Sequence, residues 1–125
     1  MMIIDTNIVI YSIQSEFGVL RDYLEINQQS LRVSMITKIE TLGYHKLTPE
    51  DQKKFEVFFQ IVPSFAINDP IITEAIRLRQ QRKRSLADSI IAATALLYNL
   101  PVLTNNTADF EDISGLQVIS LQSIT

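Results

Sequence analysis

The chain has 125 residues, which suits one domain spanning 1–125 with a sizeable core. Its 46% hydrophobic and 20% charged residues are ordinary globular composition, and the absence of cysteine excludes a disulfide framework, a zinc–thiolate centre and a thiol nucleophile. One histidine excludes multi-histidine metal sites, and a net charge of −3 argues against a nucleic-acid binder that works through its whole surface.

The first element is a short buried strand at Met2–Ile4, a continuous apolar run too short to be a helix. A helix follows over Thr6–Ile13, with Asp5 or Thr6 at its start. Asp5 interrupts the apolar stretch, the N-terminus has no basic leader, and no apolar run nears the roughly 20 residues that cross a bilayer. A cytoplasmic protein with no membrane partner is therefore expected. Glu16–Asn27 has apolar residues at near-helical spacing, including Phe17, Leu20 and Leu24. "LRVS" (31–34) predicts a strand, and Met35–Tyr44 a helix. Pro49 opens another helix, Glu50–Gln60, at its first turn, where the missing N–H costs nothing. That helix places Phe55, Phe58 and Phe59 on one side. "VPSFAI" (62–67) reads as a third strand, followed by a helix from Asp69-Pro70 to about Gln81. A further helix over Ser85–Asn99 precedes strands at "PVLTNN" (101–106) and "LQVIS" (116–120). Strands alternating with helices imply a parallel sheet covered on both faces, with ligands beyond the carboxyl ends of the strands. Asp5, Glu40, Asn106 and Asp109 all follow strand ends.

Each acid also has a purely structural reading. Asp5 can cap the first helix, a role worth about 1 kcal/mol. Thr37-x-x-Glu40 and Ser85-x-x-Asp88 both fit a capping box, and Asp109 can cap the turn at "DFED". Taken together, the acids are harder to explain this way. Asp88 opens a segment, "SLADSIIAATALLYNL", that is apolar nearly all round, where an ionised carboxylate is costly unless paired. Glu40 lies among Ile36, Ile39, Leu42 and Tyr44, which predicts a similarly apolar setting. If such acids converge to about 5 Å, each like-charge pair costs about 3 kcal/mol at an effective dielectric near 20. Several such pairs rival the whole stability of a small domain, about 5–15 kcal/mol, so the cluster must hold a cation or protons. With no cysteine and one histidine, an oxygen-loving ion is favoured, Mg²⁺ or Mn²⁺, and metal-assisted phosphodiester hydrolysis suits such a site.

"IIDTNIVIY", "SMITKIETLGY" and "LADSIIAATALLYNLPVLTNNTADFEDI" together resemble, in order and spacing over essentially the whole chain, the PIN domain, in particular the VapC-like toxins. The resemblance implies a three-layer α/β/α sandwich around a mostly parallel sheet. It also implies a Mg²⁺/Mn²⁺-dependent endoribonuclease that hydrolyses RNA through metal-activated water. Asp5, Glu40 and Asp88 would be metal ligands, with Asp109 as the fourth acid; many relatives place that acid at the position of Asn106. Asn7, Thr104 and Asn106 would orient the acids or water. A cognate antitoxin and a homodimer are further implications.

Five of the eleven basic residues lie within eight positions: Arg77, Arg79, Arg82, Lys83 and Arg84. The cluster is either a solvated helix face or, because it immediately precedes the Asp88 helix, a grip on RNA phosphates. His45 follows Gly43-Tyr44 at a helix end and is a poor catalytic candidate. A receiver-like domain lacks its adjacent acids and its late lysine here, and a D-x-D phosphatase fails at Asn7. The alternative function is a PIN-fold module that binds RNA or protein without catalysis.

Overall fold

A computed structural model describes residues 1–125. The chain runs β1 (Met2–Ile4), α1 (Thr6–Ser12), α2 (Gly18–Ile26), β2 (Leu31–Ser34), α3 (Met35–Leu42), α4 (Pro49–Ile61), β3 (Ser64–Phe65), α5 (Asp69–Gln81), α6 (Leu86–Tyr98), β4 (Val102–Thr104) and β5 (Val118–Ser120). All strand pairs are parallel, and the order β3-β2-β1-β4-β5 makes one five-stranded sheet. Chain direction across the sheet reverses beside β1, between β1 and β4, which leaves a crevice at the carboxyl ends of those two strands.

The two faces of the sheet carry separate cores, as the two-residue strand period requires. On one face Met2, Ile4, Val33 and Leu103 pack with Ile8, Val9, Leu20, Leu24 and Phe55 from α1, α2 and α4. On the other, Ile3 and Val102 pack with Ile71, Ala75 and Leu78 of α5 and with Ile91, Ala92 and Ala95 of α6. The expected helix over Glu16–Asn27 begins instead with a tight 3-10 turn at Ser15–Phe17, so α2 proper starts at Gly18. The third strand is shorter than expected, two residues at the sheet edge. Phe17, Tyr23 and Phe58 pack partly buried against the first core, which also contains Phe55.

Helix starts follow local chemistry. Ser34, Thr48, Asn68 and Ser85 each accept a backbone N–H at the N-terminus of the following helix, with prolines in the first turns of α4 and α5. The Thr37–Glu40 capping box does not form: Ser34 caps α3 one turn earlier, which puts Thr37 inside the helix and buries it. At α6 the Ser85 half of the box is present, with Ser85 Oγ accepting from the Asp88 N–H at 3.0 Å. Asn99 ends α6 in a left-handed conformation (φ 54°), one of the few non-glycine residues suited to it.

Candidate metal centre

Asp5 directly follows β1 and is 4% exposed. The side chain caps α1, with Oδ1 accepting from the Ile8 N–H at 3.0 Å. Oδ2 takes the hydroxyl of Thr104 from the end of neighbouring β4. Capping and site membership therefore coexist in one carboxylate, each oxygen having its own partner. Burial raises the Asp5 pKa above its usual 3.8, and the charge of Asp109 pushes the same way; the Thr104 hydroxyl and the Ile8 and Asn7 N–H groups oppose them.

Asp88, in the first turn of α6, is half-buried and faces the same crevice. Its pKa is raised from 3.8 to about 6, chiefly by desolvation, then by the charge of Asp109, a hydrogen bond to Asp109 and the charge of Asp5, against the Ser85 hydroxyl. Asp5, Glu40 and Asp88 line one cleft of about 300 Å³ together with Thr6, Asn7, Ile10, Ser85 and Ala87. Asp88 and Asp109 also line an adjoining cleft of similar size with Arg82, Lys83, Arg84 and Ser85.

Glu40 differs from the apolar setting its neighbours suggest. It is exposed, as is Ile39, because Thr37 and Thr41, not Glu40, occupy the buried stripe of α3. Its carboxylate is fixed by Thr6, which donates to Oε1 at 2.6 Å while lying 3.0 Å from the Thr37 hydroxyl. Thr6 is thus a site residue that motif reading overlooked, although it sits between Asp5 and Asn7 in "DTN". Asp109 does not cap the turn at "DFED": it is the last residue of a 3-10 turn, Thr107–Asp109, that follows Asn106. Asn106 donates from Nδ2 to Asp109 Oδ2 at 2.8 Å, and its own N–H reaches Thr104 Oγ1 at 2.9 Å. Thr104 therefore links the Asp5 carboxylate to the segment that carries Asp109. Asn7 is exposed on the cleft wall, and His45 lies exposed beside Tyr44 and does not line the cleft.

The basic cluster divides. Arg79, Arg82 and Lys83 are exposed, and Arg82 pairs with Asp112 at 3.2 Å. Arg77 is exposed but engaged with Glu74 one turn earlier. Arg84 is no phosphate grip: its side chain is 1% exposed and holds Asp112 with two hydrogen bonds. The expectation that all five contact RNA fails at Arg84, because a cationic sequence run does not reveal which member turns inward to an acid 28 residues later. Asp112, three residues past Asp109, was not singled out in the sequence.

The donors at the cleft are all oxygens, which suits a hard cation such as Mg²⁺ or Mn²⁺. No three of these acids lie close enough together to enclose an ion by themselves. The raised pKa values of Asp5 and Asp88 show that their charges are under-compensated by the protein alone, the condition a cation relieves.

A family model described as "PIN domain" matches residues 2–116. The chain is 28% identical over 122 residues to the tRNA(fMet)-specific endonuclease VapC of Shigella flexneri, covering 91% of this chain and 92% of that protein. It is 29% identical over 131 residues to Ribonuclease VapC of Rickettsia bellii, covering 96% of each. Among solved structures, a toxin–antitoxin complex from Klebsiella pneumoniae aligns with 30% identity and a TM-score of 0.76, over 96% of this chain and 97% of that one. The chain belongs to the PIN domain family and, within it, to the VapC group.

Proposed function

We propose that the chain is a Mg²⁺- or Mn²⁺-dependent endoribonuclease, the toxin of a toxin–antitoxin pair, with Asp5, Glu40, Asp88 and Asp109 holding the cation. The observation that carries this reading is the convergence of acids from four separate segments on the carboxyl edge of the sheet, two of them with pKa values raised by burial and mutual charge. When bound, the cation would neutralise phosphate charge and ease the deprotonation of the attacking water.

The chain's own residues supply orientation. Thr104 and the Ile8 N–H hold the two oxygens of Asp5, Thr6 holds Glu40, and Asn106 holds Asp109. Ser85 caps α6 and lies against Asp88. Neither Ser85 nor Thr6 has an imidazole beside it to activate its hydroxyl, so water serves as the nucleophile. Arg82 and Lys83, beside Asp88 and Asp109, hold the flanking phosphates, with Arg79 further along the same exposed surface. Products then carry a 5′-phosphate and a 3′-hydroxyl; a 2′,3′-cyclic phosphate would refute attack by water.

The printed names of the Shigella and Rickettsia relatives support RNA as substrate, and the Klebsiella complex supports an antitoxin partner. A homodimer accords with the exposed apolar side chains Ile39, Ile72, Ile76 and Leu86. The test is cleavage of end-labelled RNA with Mn²⁺, beside chelator and Asp5→Asn controls. Cleavage abolished in both supports the reading, and cleavage that survives Asp5→Asn overturns the site. A folded, Mn²⁺-binding protein that cuts none of a broad RNA panel would favour a module that binds without catalysis.

A further inference from the structure

The guanidinium of Arg84 is committed wholly to the protein interior. Nε donates to the Leu78 carbonyl at 3.0 Å, and Nη1 donates to Asp112 Oδ1 at 3.1 Å and to the Asp109 carbonyl at 3.4 Å. Nη2 donates to Asp112 Oδ2 at 2.6 Å. One planar group thus joins the last turns of α5, the link that leads to Asp88, and the segment that carries Asp109. Arg84 is also the residue just before Ser85, the cap of α6.

Apolar anchoring of the 107–113 segment already exists, since Phe110 is 1% and Ile113 is 4% exposed within the second core. Apolar contact is non-directional and does not by itself set which way the Asp109 carboxylate faces. A guanidinium fork that holds a carboxylate at both oxygens, and a backbone carbonyl besides, fixes direction. The carbonyl it holds belongs to Asp109 itself. Apart from this, the Asp109 carboxylate is steadied by Asn106, an exposed residue of the same turn.

We propose that Arg84, acting with Asp112, is the positioning residue that aims Asp109 at Asp88 and thereby sets the cation affinity of the cleft. The inference rests on the metal-site reading above. Arg84 touches neither substrate nor cation. Its contribution is the angle at which the fourth acid meets the third, and a lysine keeps the charge but cannot reproduce the fork.

The test compares the full chain with Arg84→Lys, Arg84→Met and Asp112→Asn, and with Lys54→Met, which breaks the surface Lys54–Glu50 pair as a control. Amide hydrogen exchange over 107–112 is read in metal-free protein, and the Mn²⁺ dissociation constant by calorimetry, where circular dichroism shows each variant folded. Expected are at least about tenfold faster exchange over 107–112 and about 10–100-fold weaker Mn²⁺ binding in Arg84→Lys and Asp112→Asn, as for other groups that orient metal ligands. β1 exchange and the Lys54→Met control should match wild type. Wild-type exchange in folded Arg84→Lys overturns the proposal. So does faster exchange with unchanged Mn²⁺ affinity, which reduces Arg84 to a structural tie. If the Arg84 variants do not fold, Asp112→Asn decides, because it leaves Arg84 both carbonyl partners. Failure of wild type to bind Mn²⁺ would refute the metal reading by itself, and unchanged exchange would still overturn the clamp.

Discussion

The β1–α1 junction and the α5–α6 link both feed the acidic cleft, but they present their charges in opposite ways. At the junction, Asp5 is buried with no cation of the protein beside it, and hydroxyl and amide donors only partly satisfy it. At the link, Arg84 is buried with Asp112 gripping its fork, so its charge is matched within the fold. A buried charge left short of partners stores unfavourable free energy that a ligand can release, whereas a matched one acts as a fastening. On the reading proposed above, the first region binds the cation and the second holds one of its ligands in place.

The sharpest way to break this comparison is to remove the unmatched charge. Asp5→Asn keeps side-chain shape and capping ability, so the fold should survive. RNA cleavage should fall about a thousandfold or more, reflecting several kcal/mol of lost cation-dependent stabilisation. In chelator the same variant should melt no lower than wild type, because the ionised carboxylate it replaces is disfavoured by burial. A large drop in melting temperature would instead make Asp5 a structural residue.

Removing the matched charge should do the reverse. Arg84→Met leaves Asp112 without its main partner and should cost about 2–3 kcal/mol of unfolding free energy. This lies below the figure for fully buried pairs because the Asp112 side chain remains 35% exposed. Arg82→Met, which removes the 42% exposed second partner of the same acid, should cost less than about 0.5 kcal/mol. Urea titrations of the two variants side by side check the contrast; equal losses would erase the distinction between them.

Proton linkage distinguishes the two regions again. Asp5 and Asp88 have folded-state pKa values above 3.8, so the folded protein holds protons that the unfolded chain has released. Metal-free protein should therefore lose stability as pH rises from 3.8 to about 6. The Asp88 share should be about 1–2 kcal/mol once its partial exposure is discounted. Asp112 has the opposite sign: Arg84 holds its pKa below 3.8, so its contribution is present above that value and lost as pH falls through the lowered one. Melting temperatures in chelator across this range test the sign, and Asp88→Asn should flatten the upper window. Saturating Mn²⁺ should flatten it as well, by favouring the ionised acids.

The smallest effect expected is on RNA affinity. Arg82→Ala with Lys83→Ala should weaken binding several-fold and reduce the log–log salt slope by about 1.4, two single-strand phosphate contacts at about 0.7 each. An unchanged slope would return these side chains to a solvated surface.

Much of this was legible along the chain because it depends on local chemistry. Asp5 follows an apolar strand and starts a helix, and its cap on the Ile8 N–H follows from that position alone, whereas its other partner, Thr104, lies 99 residues away. Pro49, Asp69-Pro70 and Ser85 mark helix starts whose capping needs only neighbouring residues. The apolar run of α6 announced a buried helix, and Ser89 through Ala95 are buried. The reading failed where a residue's environment comes from a distant segment. Glu40 looked buried among apolar neighbours, but α3 turns its threonines inward and leaves Glu40 to Thr6, 34 residues away.

Periodicity and capping residues follow from steric and hydrogen-bonding rules that act over a few residues, so the order in which strands and helices appear could be read in one dimension. Strand lengths, the inward turn of Arg84 and the exposure of Glu40 could not. They depend on which side chains from remote segments meet, and a charge is buried or solvated according to the partners the fold brings to it. Within a single run of basic residues, packing made Arg84 a fastener and left Arg82 and Lys83 facing the cleft.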